Sequence, residues 1–97
     1  MRVKYSPLFL AILKKVDVRI YKSLKTRISI FIQNSSDPQL NNHALRDEYL
    51  GYRSIDVTAD WRAVFEEIEE GEETVVYFVT LGTHEQLFMK NKKLNES

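Results

Sequence analysis

The chain has 97 residues and a mass of 11.4 kDa, so we expect a single domain. Hydrophobic residues make up 43% and charged residues 29%, a balance that excludes a disordered chain. The 14 basic and 14 acidic residues cancel, which argues at first sight against a nucleic-acid binder. The absence of cysteine excludes disulfides, a thiolate nucleophile and a cysteine-ligated zinc site.

The first half of the chain is predicted to be a short strand followed by two helices. Residues 1–5 alternate hydrophobic and basic side chains, which indicates a strand. Ser6 and Pro7 are typical of the N-cap and first turn of a helix, which we expect over residues 8–15. Apolar residues recur at helical spacing over 16–32. This second helix has a basic face that carries Arg19, Lys22, Lys25 and Arg27.

The second half is predicted to be a sheet. Alternating or β-branched patterns indicate strands over residues 52–57, 61–68 and 74–81, with an acidic hairpin turn at 69–73 and a short turn or helical segment at 83–88. Successive strands with short connections form an antiparallel meander. The predicted fold class is therefore α+β: an N-terminal strand and two helices pack on one face of a mainly antiparallel, roughly four-stranded sheet, whose other face stays open for binding.

Residues 1–88 are expected to form the domain, and the lysine-rich residues 89–97 a frayed tail. The longest apolar run, residues 8–13, is far shorter than the roughly 20 residues that cross a bilayer. Lysines follow this run instead of preceding it, unlike in a signal peptide. We therefore expect a cytoplasmic protein with no membrane partner.

The neutral total hides an uneven charge distribution. Residues 1–46 hold nine basic and two acidic residues, a formal charge of +7, whereas residues 47–88 hold two basic and eleven acidic residues, a charge of −9. A basic helical half attracts polyanions locally. A basic helix face is, however, more often a solvated surface than a binding site. Phosphate binding therefore remains open.

The residues best suited to chemistry are the two histidines of the chain. His43 and His84 both fall in predicted loops beside strand ends, and histidine exchanges protons near neutral pH. Asp60 and Arg62 are two positions apart and are predicted to share a strand face. The carboxylate is suited to orienting an imidazolium and the guanidinium to holding a phosphate, unless the two form an ordinary surface ion pair. No motif indicates a metal or cofactor, and we expect neither.

The order strand, helix, helix, three strands, together with the segments SPLFLAILKK, HAL, GYRSIDVTADWRAVFE and LGTHEQLF, resembles the RelE/ParE superfamily of type II toxins. The likeness is strongest to its YafQ-like RNase branch and covers residues 1–88. The resemblance implies a metal-independent endoribonuclease that cleaves mRNA, commonly on the ribosome, and that is neutralised by a cognate antitoxin protein.

The resemblance also implies roles for individual residues. His43, Asp60 and His84 match catalytic positions, and Arg62 matches a strand arginine that stabilises phosphate. Phe88 matches a substrate-placing position, where it is suited to stacking on a base; it is equally suited to sealing the core. Further RNA contacts are expected from the basic residues Lys22, Lys25 and Arg53.

Two departures from the family pattern keep alternatives open. Relatives often carry an acid where this chain has Ser54 and a histidine where it has Asp56. One alternative is therefore a catalytically weakened domain that only binds an antitoxin. The other is a ParE-like inhibitor of DNA gyrase, against which the histidine pair counts, since such members generally lack it.

Overall fold

The computed structural model describes residues 1–89 and places them in two helices and five strands. The helices are α1 (Pro7–Leu13) and α2 (Val18–Gln33). The strands are β1 (Arg2–Tyr5), β2 (His43–Ala44), β3 (Arg53–Asp56), β4 (Trp61–Glu70) and β5 (Glu73–Thr83). Short helical turns, Pro38–Leu40, Asp47–Tyr49 and Glu85–Met89, lie between α2 and β2, between β2 and β3, and after β5.

Helix α1 begins where the sequence predicts. Ser6 Oγ accepts a hydrogen bond from the backbone N–H of Phe9 and donates one to the carbonyl oxygen of Val79. Pro7 occupies the first turn, where a missing N–H costs nothing. Helix α2 begins after Asp17, whose carboxylate accepts from the backbone N–H of Arg19. Both helices are thus held at their first turns by side-chain caps, and α1 is also tied to β5.

The five strands form one mixed sheet in the order β1-β5-β4-β3-β2. Strand β1 runs parallel to β5, and the other neighbours are antiparallel. The helices lie against one face, where Phe9 and Phe31 pack against Phe65 and Phe78. These results confirm the predicted α+β fold with an N-terminal strand and two helices.

Strand alternation separates this core face from the second face of the sheet. Ile55 and Ala63 are register partners inside the core cluster, so their neighbours Asp56 and Arg62, also partners, point to the opposite side. His43 pairs with Ser54 on that same second face. The sheet therefore places His43, Asp56 and Arg62 away from the helices.

The C-terminal turn, Glu85–Met89, covers part of the second face. Its Leu87 is buried. A Cβ on Gly82 would lie 3.1 Å from Gln86 Oε1 and 3.4 Å from Leu87 Cδ2, so the turn packs closely over β5 at this glycine. The sequence predicts an open second face, whereas in the structure this turn covers part of it.

Three details differ from the sequence prediction. The sheet has a fifth strand, because His43–Ala44 pairs with β3 over two residues; His43 thus lies in a strand and not in a loop. Met89, assigned to the tail, belongs to the C-terminal turn. The expected tail otherwise lies outside the described residues. Within residues 1–89, no helix is long and apolar enough to cross a membrane.

Candidate active site

His43 is held in a defined orientation at the edge of the sheet. Its Nδ1 lies 2.7 Å from the carbonyl oxygen of Asn41. A carbonyl can only accept, so Nδ1 carries the proton of the neutral ring and Nε2 keeps its lone pair. Asn41 itself adopts a left-handed conformation, with φ of 49°, which short polar side chains tolerate. The backbone turn at Asn41 therefore prepares His43 to accept a proton at Nε2.

Arg62 is fixed by bonds to a carboxylate and to the β3–β4 turn. Its Nε lies 3.0 Å from Asp56 Oδ1 on the neighbouring strand. Its Nη1 donates to the carbonyl oxygens of Thr58, Ala59 and Trp61 at 3.0, 3.2 and 3.1 Å. The guanidinium is thus positioned and partly neutralised, and the ion pair that it makes is with Asp56 and not with Asp60.

His84 and Phe88 come together just after β5. The backbone N–H of His84 donates to the carbonyl oxygen of Asp60 at 2.8 Å, which ties the end of β5 to the turn before β4. The His84 ring meets the Phe88 ring edge to face, with centroids 5.1 Å apart. His84 is exposed, so its ring remains accessible to a ligand while Phe88 sets its position.

These side chains line a common pocket of about 800 Å³. The pocket lies where β2, the Asp47–Tyr49 turn, β4 and the C-terminal turn meet. Its lining residues are Asn41, His43, Ala44, Leu45, Arg46, Asp47, Glu48, Tyr49, Arg62, His84, Leu87 and Phe88. The structure therefore brings four of the residues predicted from sequence, His43, Arg62, His84 and Phe88, to one cavity.

Tyr49 is a pocket residue that the sequence analysis missed. Its ring meets Phe88 edge to face at 5.6 Å and Tyr52 at 6.5 Å. Burial raises the pKa of Tyr49 above its ordinary value, and the charge of Glu48 adds to the effect. Tyr49 therefore stays protonated at neutral pH and offers an aromatic surface and a hydroxyl rather than a base. The sequence feature that could have identified Tyr49 is an aromatic residue in the segment between His43 and Gly51.

Other predicted site residues lie apart from the pocket. Asp60 is exposed in the β3–β4 turn, and its backbone carbonyl accepts the hydrogen bond from the His84 N–H. Arg53 donates from Nε to Asn42 Oδ1 at 2.9 Å, so it holds the segment that leads into β2. Lys22 and Lys25 are exposed on α2, which packs on the core face of the sheet. The structure does not bring these four side chains to the cavity.

Ser54 lies beneath the site, opposite His43 in the β2–β3 pairing. Its side chain is fully buried, at 0% exposure. Among the described residues its Oγ has no hydrogen-bond partner, an arrangement that costs free energy.

Among the described residues, the charges that line the pocket balance. Two arginines, Arg46 and Arg62, line it together with two carboxylates, Asp47 and Glu48. Within residues 1–89, no three histidine, aspartate or glutamate side chains are grouped to hold a metal ion. What the arrangement offers is acid–base chemistry from two imidazoles beside one anchored guanidinium.

Comparisons with known proteins assign the chain to a family. A family model described as the ParE toxin of the type II toxin–antitoxin system parDE matches residues 3–88. No curated protein matches the chain. Among solved structures, the YoeB/ParE toxin from Agrobacterium tumefaciens superposes with a TM-score of 0.70 over 87% of this chain and 99% of that chain. The two are 17% identical, so this match shows the fold alone.

The resemblance to the YafQ-like branch is confirmed by two further structures. YafQ from E. coli strain BL21(DE3) is 25% identical, with a TM-score of 0.65 over 91% of this chain and 99% of that one. The E. coli DinJ–YafQ complex contains a chain that is 27% identical. It superposes with a TM-score of 0.57 over 91% of this chain and 99% of that chain. The protein therefore belongs to the ParE toxin family of type II toxin–antitoxin systems, within the RelE/ParE superfamily.

Proposed function

We propose that this toxin is an endoribonuclease that cleaves mRNA without a metal ion or cofactor. One observation carries the proposal: His43 and His84, the two histidines of the chain, line the same pocket as Arg62. Two imidazoles beside one cation match the needs of phosphodiester cleavage by an internal nucleophile, which requires a base, an acid and a stabilised phosphate.

The reaction proceeds by attack of a ribose 2′-hydroxyl on the adjacent phosphorus. His43 Nε2 takes the proton of that hydroxyl, since its Nδ1 proton is engaged by the carbonyl of Asn41. The new bond joins the 2′-oxygen to phosphorus, and the bond from phosphorus to the 5′-oxygen breaks. His84, entering as the imidazolium, gives its proton to the departing 5′-oxygen. The products are a 2′,3′-cyclic phosphate and a 5′-hydroxyl.

The remaining site residues hold the substrate. Arg62 supplies positive charge to the phosphate as negative charge grows on its oxygens. Phe88, with Tyr49 behind it at 5.6 Å, offers an aromatic surface for an unpaired base. Asp60 supports His84 through the 2.8 Å backbone contact. Lys22, Lys25 and Arg53 contribute long-range attraction for the polyanion.

The natural substrate in this proposal is mRNA on the ribosome, in the cytoplasm. The resemblance to YafQ-like toxins supports it, and so does the site itself, because a pocket with a balanced charge binds free RNA weakly. A ribosome that presents the mRNA supplies affinity that the pocket lacks. We therefore expect faster cleavage of translated mRNA than of the same RNA alone.

Induction of the protein in bacteria tests the proposal. We expect growth arrest with loss of intact mRNA, and neither effect with His84→Ala. Glu67→Gln, an exposed carboxylate on the hairpin end of β4, is the matched control and should behave as the parent. Growth arrest with intact mRNA would favour the gyrase inhibitor instead. A harmless protein that still binds its antitoxin would favour the weakened domain.

A further inference from the structure

The contact between Asp56 and Arg62 stands out among the ion pairs of the described residues because it is shielded from water. The Arg62 and Asp56 side chains are 16% and 26% exposed, whereas the partners in the other pairs, Arg2 with Glu70 and Glu73, and Arg19 with Asp17, are all 45% exposed or more. Surface pairs are screened and weak, but a shielded pair interacts more strongly. Asp56 therefore influences the charge that Arg62 presents to the pocket.

The donors of Arg62 are largely committed. A guanidinium has five N–H groups and grips phosphate best with two of them on one edge. Asp56 Oδ1 lies 3.0 Å from Nε as an ion pair, and Nη1 donates to backbone carbonyls. Within the described residues, Nη2 makes no hydrogen bond. A phosphate approaching the Nε–Nη2 edge therefore meets the Asp56 carboxylate, and one approaching the Nη1–Nη2 edge meets a nitrogen that already donates to backbone carbonyls.

Asp56 is itself held in this position. Asn41 Nδ2 lies 3.4 and 3.5 Å from its two carboxylate oxygens, and the backbone carbonyl of the same Asn41 orients His43. The register of β3 and β4 sets Asp56 directly opposite Arg62. The strand register and the Asn41 contact therefore hold the carboxylate beside the Arg62 guanidinium.

We propose that Asp56 competes with the RNA phosphate for Arg62, and so limits how tightly the toxin binds RNA. The inference rests on the proposed function, because it takes the pocket ligand to be RNA. Removing the carboxylate frees the Nε–Nη2 edge for a two-bond contact and removes a repelling charge. Asp56→Asn keeps the shape of the side chain and changes only these properties.

Binding of a short RNA with a 2′-O-methyl group on every ribose tests the proposal without cleavage, since the attacking hydroxyl is blocked. We expect Asp56→Asn to bind about three- to tenfold more tightly than the parent. Glu67→Gln changes the net charge equally but lies toward the far end of β4, so it should bind within about twofold of the parent. Equal affinities for Asp56→Asn and Glu67→Gln, or no binding by Asp56→Asn, would overturn the proposal.

The Arg62→Gln background separates competition for this arginine from a local charge effect. In that background, adding Asp56→Asn should gain no more affinity than adding Glu67→Gln. A gain that survives the loss of Arg62 would contradict the proposal.

Circular dichroism verifies folding, and Asp56→Ser replaces Asp56→Asn if the latter does not fold. Cleavage of unmodified RNA is measured separately: tighter binding without cleavage by any protein would refute the nuclease function and leave the competition standing.

Discussion

His43 Nδ1 lies 2.7 Å from the carbonyl oxygen of Asn41, and this contact decides which nitrogen of the ring is available for chemistry. The partner is a backbone atom in a left-handed turn, so the orientation of His43 is built into the chain path before β2. The bond fixes the neutral tautomer with Nε2 unprotonated, which supports the proposed assignment of His43 as the base and His84 as the acid.

The first prediction concerns His43. His43→Gln keeps a polar side chain of similar size but cannot take up the proton, so the cleavage rate should fall about 100-fold or more. Affinity for the 2′-O-methyl RNA should change little, since the Arg62 contact is intact. Single-turnover cleavage and equilibrium binding measure the two effects. Cleavage within tenfold of the parent would show that His43 is not the base.

The second prediction separates two roles of Phe88. Phe88→Leu keeps an apolar side chain against the C-terminal turn but removes the ring that stacks on a base. RNA affinity should fall by a factor of about 5 to 100, the range that stacking on one aromatic supplies, with a small change in thermal stability. A clear loss of stability with unchanged affinity would mean that Phe88 only seals the core.

The third prediction concerns Lys22 and Lys25 on α2. They lie on the helix layer, outside the pocket, so a trinucleotide should bind the double variant Lys22→Gln/Lys25→Gln as well as the parent. A longer RNA that can reach α2 should bind it more weakly at low salt, with a shallower dependence of affinity on salt concentration. Equal weakening for both RNA lengths would instead place the lysines at the pocket.

The fourth prediction concerns the buried hydroxyl of Ser54. Its Oγ has no partner among the described residues, so Ser54→Ala should raise the free energy of unfolding by about 1 kcal/mol. Ser6→Ala is the matched control, because that hydroxyl both accepts and donates, and its loss should destabilise by about 1 to 2 kcal/mol. Urea unfolding measures both. Destabilisation by Ser54→Ala would show that its hydroxyl is satisfied.

Local signals explain how much of the fold could be predicted from sequence. The Ser6–Pro7 pair predicts the start of α1, because capping depends on neighbouring residues. Alternation predicts β4, and a run of apolar β-branched and aromatic residues predicts β5. Strand β2 could not be found in this way, since two residues carry no periodicity.

The candidate site was only partly predictable. His43 and His84 were identified by residue type, but their convergence depends on the pairing of β2 with β3 and on the fold of the C-terminal turn. The partner of Arg62 was also missed: strand register sets Asp56 opposite it, whereas sequence proximity suggested Asp60. Long-range register is the information that single-sequence patterns lack.

Cleavage by the purified protein tests the central claim most directly, that two histidines in one pocket perform metal-independent RNA cleavage. Translated mRNA on ribosomes would be incubated with the parent and with folded His84→Gln, and the new RNA ends analysed. We predict fragments that end in a 2′,3′-cyclic phosphate, with a rate at least about 100-fold lower for His84→Gln. Intact RNA with the parent, or equal cleavage by the two proteins, would contradict the account.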